Sequence, residues 1–229
     1  MPHHDMQRLC KETMKFASAI ITSGMNLIEL RNLCEKYMIQ NGADSFWYWD
    51  VGAFIFNGKS TTRSVSGNEY STEDSAILED DIITIDLSPQ KNNIWGDYAR
   101  TLIVENGKVI FDIDQIHNEE WNQGILTEYV LHQMMFDFVT VDTTFEELFF
   151  FINKKIIELG YVNLDFLGNL GHSIVKDKNQ RIYIEKGNTA KLSSVESFTF
   201  EPHISLQNGK YGYKHENIYY FNNNKLFEL

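Results

Sequence analysis

Ile82-Ile-Thr-Ile-Asp-Leu-Ser-Pro-Gln-Lys-Asn-Asn-Ile-Trp-Gly-Asp-Tyr-Ala-Arg-Thr-Leu-Ile-Val104 reads as two β-strands joined by a polar turn. Each strand carries one aspartate in apolar company, Asp86 and Asp97. A turn centred on Lys91-Asn92 would set the two aspartates opposite each other, with their Cβ atoms about 5 Å apart. A buried carboxylate is costly without a positive or hydrogen-bonding partner. Two that close repel, so one must hold a proton or both must share a cation.

Working outward, the preceding segments show helical spacing of apolar residues. Met6, Leu9, Cys10, Met14 and Ala17 mark a helix over about 5–21, and Leu27, Leu30, Leu33 and Tyr37 mark another over about 26–38. Residues 45–56 are aromatic and β-branched and read as strand; 57–70 read as a long polar loop. His3 and His4 read as a loose end. After the hairpin, Asn106-Gly107 signals a tight turn. Helical patterns follow over 118–139 and 144–159, the second opened by a Thr144/Glu147 capping box. Phe149-Phe-Phe-Ile152 reads as its core-facing side.

A second hairpin repeats the device. Ser197–Leu206 and Tyr211–Phe221 flank Asn208-Gly209, and counting out from that turn sets Glu201 opposite Glu216. Pro202 implies an edge or a bulge. Between the hairpins lies Gly168-Asn-Leu-Gly-His-Ser-Ile174. Four carboxylates and the His172 imidazole make a hard, oxygen-rich set, suited to two divalent cations of the Mn, Co, Fe or Zn kind rather than to a thiolate zinc site. Arg181 and Tyr183 read either as cavity wall near His172 or as a solvated strand face. Trp95 and Phe46-Trp-Tyr-Trp49 read either as site wall or as core.

The chain of 229 residues is 43% hydrophobic and carries a net charge of −12. That is enough apolar material for one sizeable core, and it argues against nucleic acid or an anionic membrane as partner. Two cysteines and no apolar leader suggest a reduced, cytoplasmic protein.

Together, Asp86-x10-Asp97, Gly171-His172, Phe200-Glu201-Pro202 and Glu216 resemble the ligand set of the pita-bread metallopeptidases, a family that includes methionine aminopeptidases, Xaa-Pro aminopeptidases and prolidases. The likeness runs from about Met6 to Phe221, and Lys214-His215-Glu216-Asn217 is closer to the Xaa-Pro and prolidase version. It implies an α+β, pseudo-twofold pita-bread fold: a curved antiparallel sheet with helices on its outer face, in a single catalytic domain over residues 1–229. It implies that Asp86, Asp97, His172, Glu201 and Glu216 hold two divalent metal ions, with Asp97 and Glu216 bridging. Glu201 would double as general base. The substrate would be a peptide with a free N-terminus, and a homodimer is compatible with the reading. Metal-binding members with weak or different activity, such as methionine aminopeptidases, non-peptide C–N hydrolases or binding modules, are the alternative. Two histidines usual in the family have no counterpart near Asn68 and Asn179. His203, two residues beyond Glu201, is the candidate to substitute in catalysis.

Overall fold

The computed structural model describes residues 3–229. The first half opens with helices α1 (His4–Ile20) and α2 (Leu27–Gln40), the latter capped by the Asn26 side chain accepting from the Ile28 amide. Strands β1 (Ser45–Phe46), β2 (Ala53–Asn57), β3 (Asp81–Leu87), β4 (Pro89–Lys91), β5 (Ile94–Trp95), β6 (Tyr98–Glu105) and β7 (Lys108–Ile110) follow. The second half repeats the order with α3 (Glu119–Phe138) and α4 (Phe145–Glu158). Strands β8 (Tyr161–Asn163), β9 (Ser173–Ile174), β10 (Ser197–Phe200), β11 (His203–Leu206), β12 (Tyr213–Lys214), β13 (Asn217–Asn222) and β14 (Lys225–Glu228) complete it. Thr144 and Glu147 form the expected capping box at the start of α4.

Among the described residues the strands pair antiparallel, in the orders β2-β3-β6-β7, β1-β4-β5, β14-β13-β10-β9 and β12-β11-β8. Strand β3 reads as a continuous apolar run because both its faces are covered. Its alternation sends Ile83, Ile85 and Leu87 to the core under α1 and α2, and turns Thr84 and Asp86 to the concave side. A second core gathers Leu131, Met135, Phe145, Leu148, Ile152, Phe198 and Phe200 beneath α3 and α4. The fold is the α+β pita-bread architecture, two helix-and-sheet halves with the helices outside.

Four expectations need correction. Asp86 pairs with Ala99, not with Asp97, because the turn falls one residue later than Lys91-Asn92. Asn92 and Asn93 both take positive φ, 54° and 59°, the pair of left-handed residues that a two-residue hairpin turn requires. The aromatic run over 45–56 is not one strand: Trp49 and Asp50, each at φ 57°, break it between β1 and β2. His3 is buried, its Nδ1 2.7 Å from the Trp95 carbonyl oxygen, so the chain is tied down at residue 3. In α4, Phe150 faces out and is half exposed while Ile152 is fully buried.

The second hairpin keeps the expected register. Phe200 pairs with Asn217 and His203 with Lys214, so Glu201 and Glu216 fall opposite each other where Pro202 interrupts the ladder. The two hairpins are then stitched along one seam. The Glu216 amide donates to the Ala99 carbonyl at 3.0 Å, and the Lys214 amide to Thr101 Oγ1 at 2.7 Å. Arg100 clamps the join by donating to the carbonyls of Ala99 and Glu216, each at 2.7 Å, and to Asn217 Oδ1.

Glu128 in α3 is a buried carboxyl whose two oxygens have no hydrogen-bond partner. Burial pushes its pKa well above the ordinary value, with Lys214 and Arg100 pulling the other way. A raised carboxyl pKa means the folded state holds the proton more tightly. Its cost is therefore absent below the ordinary carboxylate range and grows as pH rises through it. Glu128→Gln, which never ionises, should raise the thermal midpoint more at pH 8 than at pH 5. The scale is roughly 2–4 °C per kcal/mol for a chain this size, and equal shifts at both pH values would refute ionisation at this position.

Candidate metal centre

The seam brings Asp86, Asp97 and Glu201 to the lining of a cavity of about 610 Å³, a size suited to a short peptide. One ligand atom from each of Asp86, Asp97 and Glu216 lies within 4.8 Å of the others. His172 Nε2 stands 3.5 Å from Asp97 Oδ2 and 3.7 Å from Glu201 Oε1. All five residues anticipated as ligands therefore converge.

Local structure explains how His172 is aimed. Gly171, at φ 134°, lets the chain pass so close to β10 that a Cβ there would lie 2.3 Å from the Thr199 carbonyl oxygen. Thr199 Oγ1 accepts from the His172 amide at 2.9 Å and donates to Glu201 Oε1 at 3.1 Å, so one hydroxyl orients two site residues. His172 Nδ1 donates to the Ser173 carbonyl at 3.2 Å, which leaves the Nε2 lone pair facing the carboxylates. The Trp47 and Trp95 rings lie 4.2 Å apart, tilted by 34°, and wall the imidazole at 5.6 and 5.8 Å. Burial, with Arg181 nearby, holds the His172 pKa down to about 3, so the ring is neutral.

The carboxylates are crowded. Burial first, then the neighbouring Asp86 and Glu201 charges, pushes Asp97 well above the usual range. Burial and Asp97 do the same to Glu216, and burial raises Glu201. Asp97 Oδ2 and both Glu216 carboxylate oxygens are buried without a hydrogen-bond partner. Like charges packed around an imidazole lone pair, with orphaned acceptors, fit cations: every unmet atom here is a donor of electrons to a hard or borderline metal.

Lys214 supplies charge of its own. Its Nζ lies 2.5 Å from Asp86 Oδ2 and 3.2 Å from Glu201 Oε2. Burial lowers the ammonium pKa, but Asp86, Glu201 and Glu216 outweigh it and push it well above the ordinary value. Lys214, Arg100 and Thr199 were not legible as site residues. Each is ordinary in its own strand and acts through partners that only the folded chain brings to it.

The remaining candidates divide. Trp47, Tyr48 and Tyr183 line the cavity, and the Arg181 guanidinium lies over all three rings, 4.8 Å from that of Trp47. Trp95 is core that also backs His172. His203 faces a smaller neighbouring cavity of about 70 Å³, which it shares with Asp86, Asp165 and Lys214. Its Nε2 donates to the Thr61 carbonyl at 2.7 Å, and burial lowers its pKa to about 4. Among the described residues, His172 is the one histidine lining the large cavity. Ser64, Val65, Ser66 and Glu69 occupy the loop side near Asn68.

The sequence matches the model of metallopeptidase family M24 over residues 3–223. The chain belongs to that family. M24 members are metal-dependent, and the carboxylate cluster above accords with that. No curated protein matches. Solved structures share the fold. They include X-Pro aminopeptidase from Thermotoga maritima MSB8 (TM-score 0.78, 18% identity, covering 97% of this chain and 58% of that one). Prolidase from Pyrococcus furiosus superposes with TM-score 0.78 at 19% identity, covering 99% of this chain and 61% of that one. Methionine aminopeptidase from Thermotoga maritima gives TM-score 0.75 at 13% identity, covering 98% of this chain and 93% of that one. This M24 chain thus spans about three-fifths of the first two proteins and nearly all of the third. Among its described residues no helix is long and apolar enough to cross a membrane.

Proposed function

We propose that this M24 chain is an aminopeptidase that removes the N-terminal residue from short peptides, with Xaa-Pro peptides preferred, in the cytoplasm. Two divalent cations (Mn, Co, Fe or Zn) would be held by Asp86, Asp97, His172, Glu201 and Glu216, with Asp97 and Glu216 shared. The observation that carries this is the convergence of those five side chains, three of their oxygens orphaned, beside a peptide-sized cavity that Asp86, Asp97, His172 and Glu201 line.

Bound there, the cations would polarise the scissile carbonyl and lower the pKa of a shared water. The chain's own residues would do the rest. Glu201, whose carboxyl pKa is raised and whose Oε1 is steadied by Thr199, is suited to take and return a proton. The Trp47 and Trp95 rings exclude water from His172 and keep it neutral. His203 has its Nε2–H committed to Thr61, which gives it a supporting rather than a proton-transferring part. Arg181, spread over Trp47, Tyr48 and Tyr183, is placed to receive the carboxylate of a dipeptide.

The test is to load purified protein with each metal and assay Xaa-Pro peptides, Met-Xaa peptides and their N-acetylated forms. Cleavage of the free but not the acetylated peptides is expected; cleavage of neither would refute the reading. Arg181→Met should lower kcat/KM for a free dipeptide roughly ten- to a hundredfold, the worth of one charge-assisted hydrogen bond. The loss should appear in KM and should be missing for the C-terminally amidated dipeptide. A second reading, a metal-binding protein with little turnover, is favoured by His172 being the one cavity histidine among the described residues. Stoichiometric metal with no peptide cleaved would decide for it.

A further inference from the structure

Nine non-glycine residues among the described ones hold a positive φ, and seven of them are Asn or Asp, whose short polar side chains tolerate it. The other two are large and apolar: Trp49 at φ 57° and Leu167 at φ 53°. Both face water, Trp49 at 59% and Leu167 at 76% exposure. Phe166, beside Leu167, is 78% exposed, the most of any large apolar side chain described. Strain of this kind persists where the surroundings impose it, and it gathers at sites of function.

The exceptions sit at the mouth of the large cavity, one from each half of the chain. Phe166 lines that cavity, as do Asp165 and Asn169 on either side of the turn. Trp49 follows Tyr48, a lining residue, and its ring covers Gly67, next to the lining residue Ser66. A Cβ on Gly67 would lie 2.8 Å from Trp49 Cδ1, so the glycine is what lets the ring lie down there.

The turn under Leu167 is held from several directions. Asp165 Oδ1 accepts from the Phe166 amide at 2.7 Å and from Ser64 Oγ at 2.9 Å, which ties it to the loop of the first half. Asn153 Nδ2 donates to the Gly168 carbonyl at 2.9 Å, and Asn163 Nδ2 to the Asn169 carbonyl at 3.1 Å. A rigid turn thus presents two adjacent apolar side chains to water while its polar groups point inward. Apolar surface bordered by polar residues and continuous with a cavity marks a place where a ligand is covered.

We propose that Trp49, Phe166 and Leu167 form an apolar rim that binds the substrate peptide beyond its second residue and selects large apolar side chains there. The inference rests on the aminopeptidase reading above. A dipeptide ends within the cavity, whereas a longer chain must leave it across this rim. An extended peptide advances about 3.3 Å per residue, so its third and fourth side chains lie some 7–10 Å beyond the first. Covering one of them against the rim should be worth about tenfold in affinity.

The test uses analogues of Ala-Pro-Leu-Phe-amide and Ala-Pro-Gly-Gly-amide in which CH2 replaces the carbonyl of the first residue, so that neither can be hydrolysed. Both lack a C-terminal carboxylate, which removes Arg181 from the comparison. Calorimetry on the Mn²⁺-loaded wild type should show the Leu-Phe analogue binding about tenfold tighter. Phe166→Ser and Leu167→Asn should each cut that ratio to about threefold or less. Asparagine tolerates the left-handed backbone, so Leu167→Asn should keep or raise the thermal midpoint. A lowered midpoint would make Leu167 a packing residue and overturn the proposal. Wild-type affinities within about threefold of each other also overturn it, while cleavage of the two parent peptides would leave the aminopeptidase reading standing. If neither analogue binds and neither parent peptide is cleaved, that reading falls and the rim with it. If light scattering shows Phe166→Ser splitting a dimer while the affinity ratio stays at about tenfold, the pair is a contact between copies and the proposal fails.

Discussion

Asp97→Ala should leave a folded chain that binds neither metal ion and cleaves no peptide. Asp97 lies between the candidate ligands of both halves: one of its carboxylate oxygens is within 4.8 Å of oxygens of Asp86 and Glu216, and its Oδ2 is 3.5 Å from His172. Under the proposed two-metal reading, removing it takes the shared acceptor from both ions, so the loss of activity should exceed the about 100-fold that removing an outer partner costs. The same substitution should stabilise the metal-free protein. Burial, Asp86 and Glu201 raise the Asp97 pKa, so the folded state binds the proton more tightly than the unfolded chain. The cost of carrying Asp97 is then absent at pH values below the ordinary carboxylate range and grows as pH rises above it. Metal analysis, peptide assay and thermal melts at pH 5 and pH 8 check the three parts. A metal-free variant less stable than wild type at pH 8 would show that Asp97 is structural.

Gly171→Ala should be strongly damaging although it replaces none of the proposed ligands. At φ 134° the residue sits where side chains are strained, at a cost of roughly 1–3 kcal/mol. Its Cβ would lie 2.3 Å from the Thr199 carbonyl oxygen and 2.8 Å from Thr199 Oγ1, adding about 1–3 kcal/mol of overpacking. A combined loss of about 4 kcal/mol corresponds to a midpoint lowered by roughly 8–16 °C. The disturbance falls on Thr199, which orients both His172 and Glu201. Metal affinity should therefore drop along with stability. A melt within a few degrees of wild type together with unchanged Mn²⁺ binding would refute this account of the turn.

The helices were readable because each is amphipathic and three of the four are capped by a polar side chain, as Asn26 and Thr144 show. The carboxylates were readable because an acid inside an apolar strand has few reasons to be there. Asn208-Gly209 placed Glu201 against Glu216 correctly, since the turn sets the register of everything outward from it. The first hairpin slipped because Lys91-Asn92-Asn93 offers more than one turn centre, and only pairing with β2 and β6 selects Asn92-Asn93.

Residue types and local periodicity determined the helix-and-hairpin order of both halves, and which five side chains stand out as candidate ligands. Tertiary structure alone decided that those five meet, through the seam in which Glu216 bonds to Ala99 and Lys214 to Thr101. It also decided that Lys214 joins them while His203 turns to a separate cavity. The physical reason is range. Turn and helix preferences act over a few residues, whereas the charge of Lys214 reaches Asp86 across 128 positions of chain, and only the folded backbone brings the two within 2.5 Å.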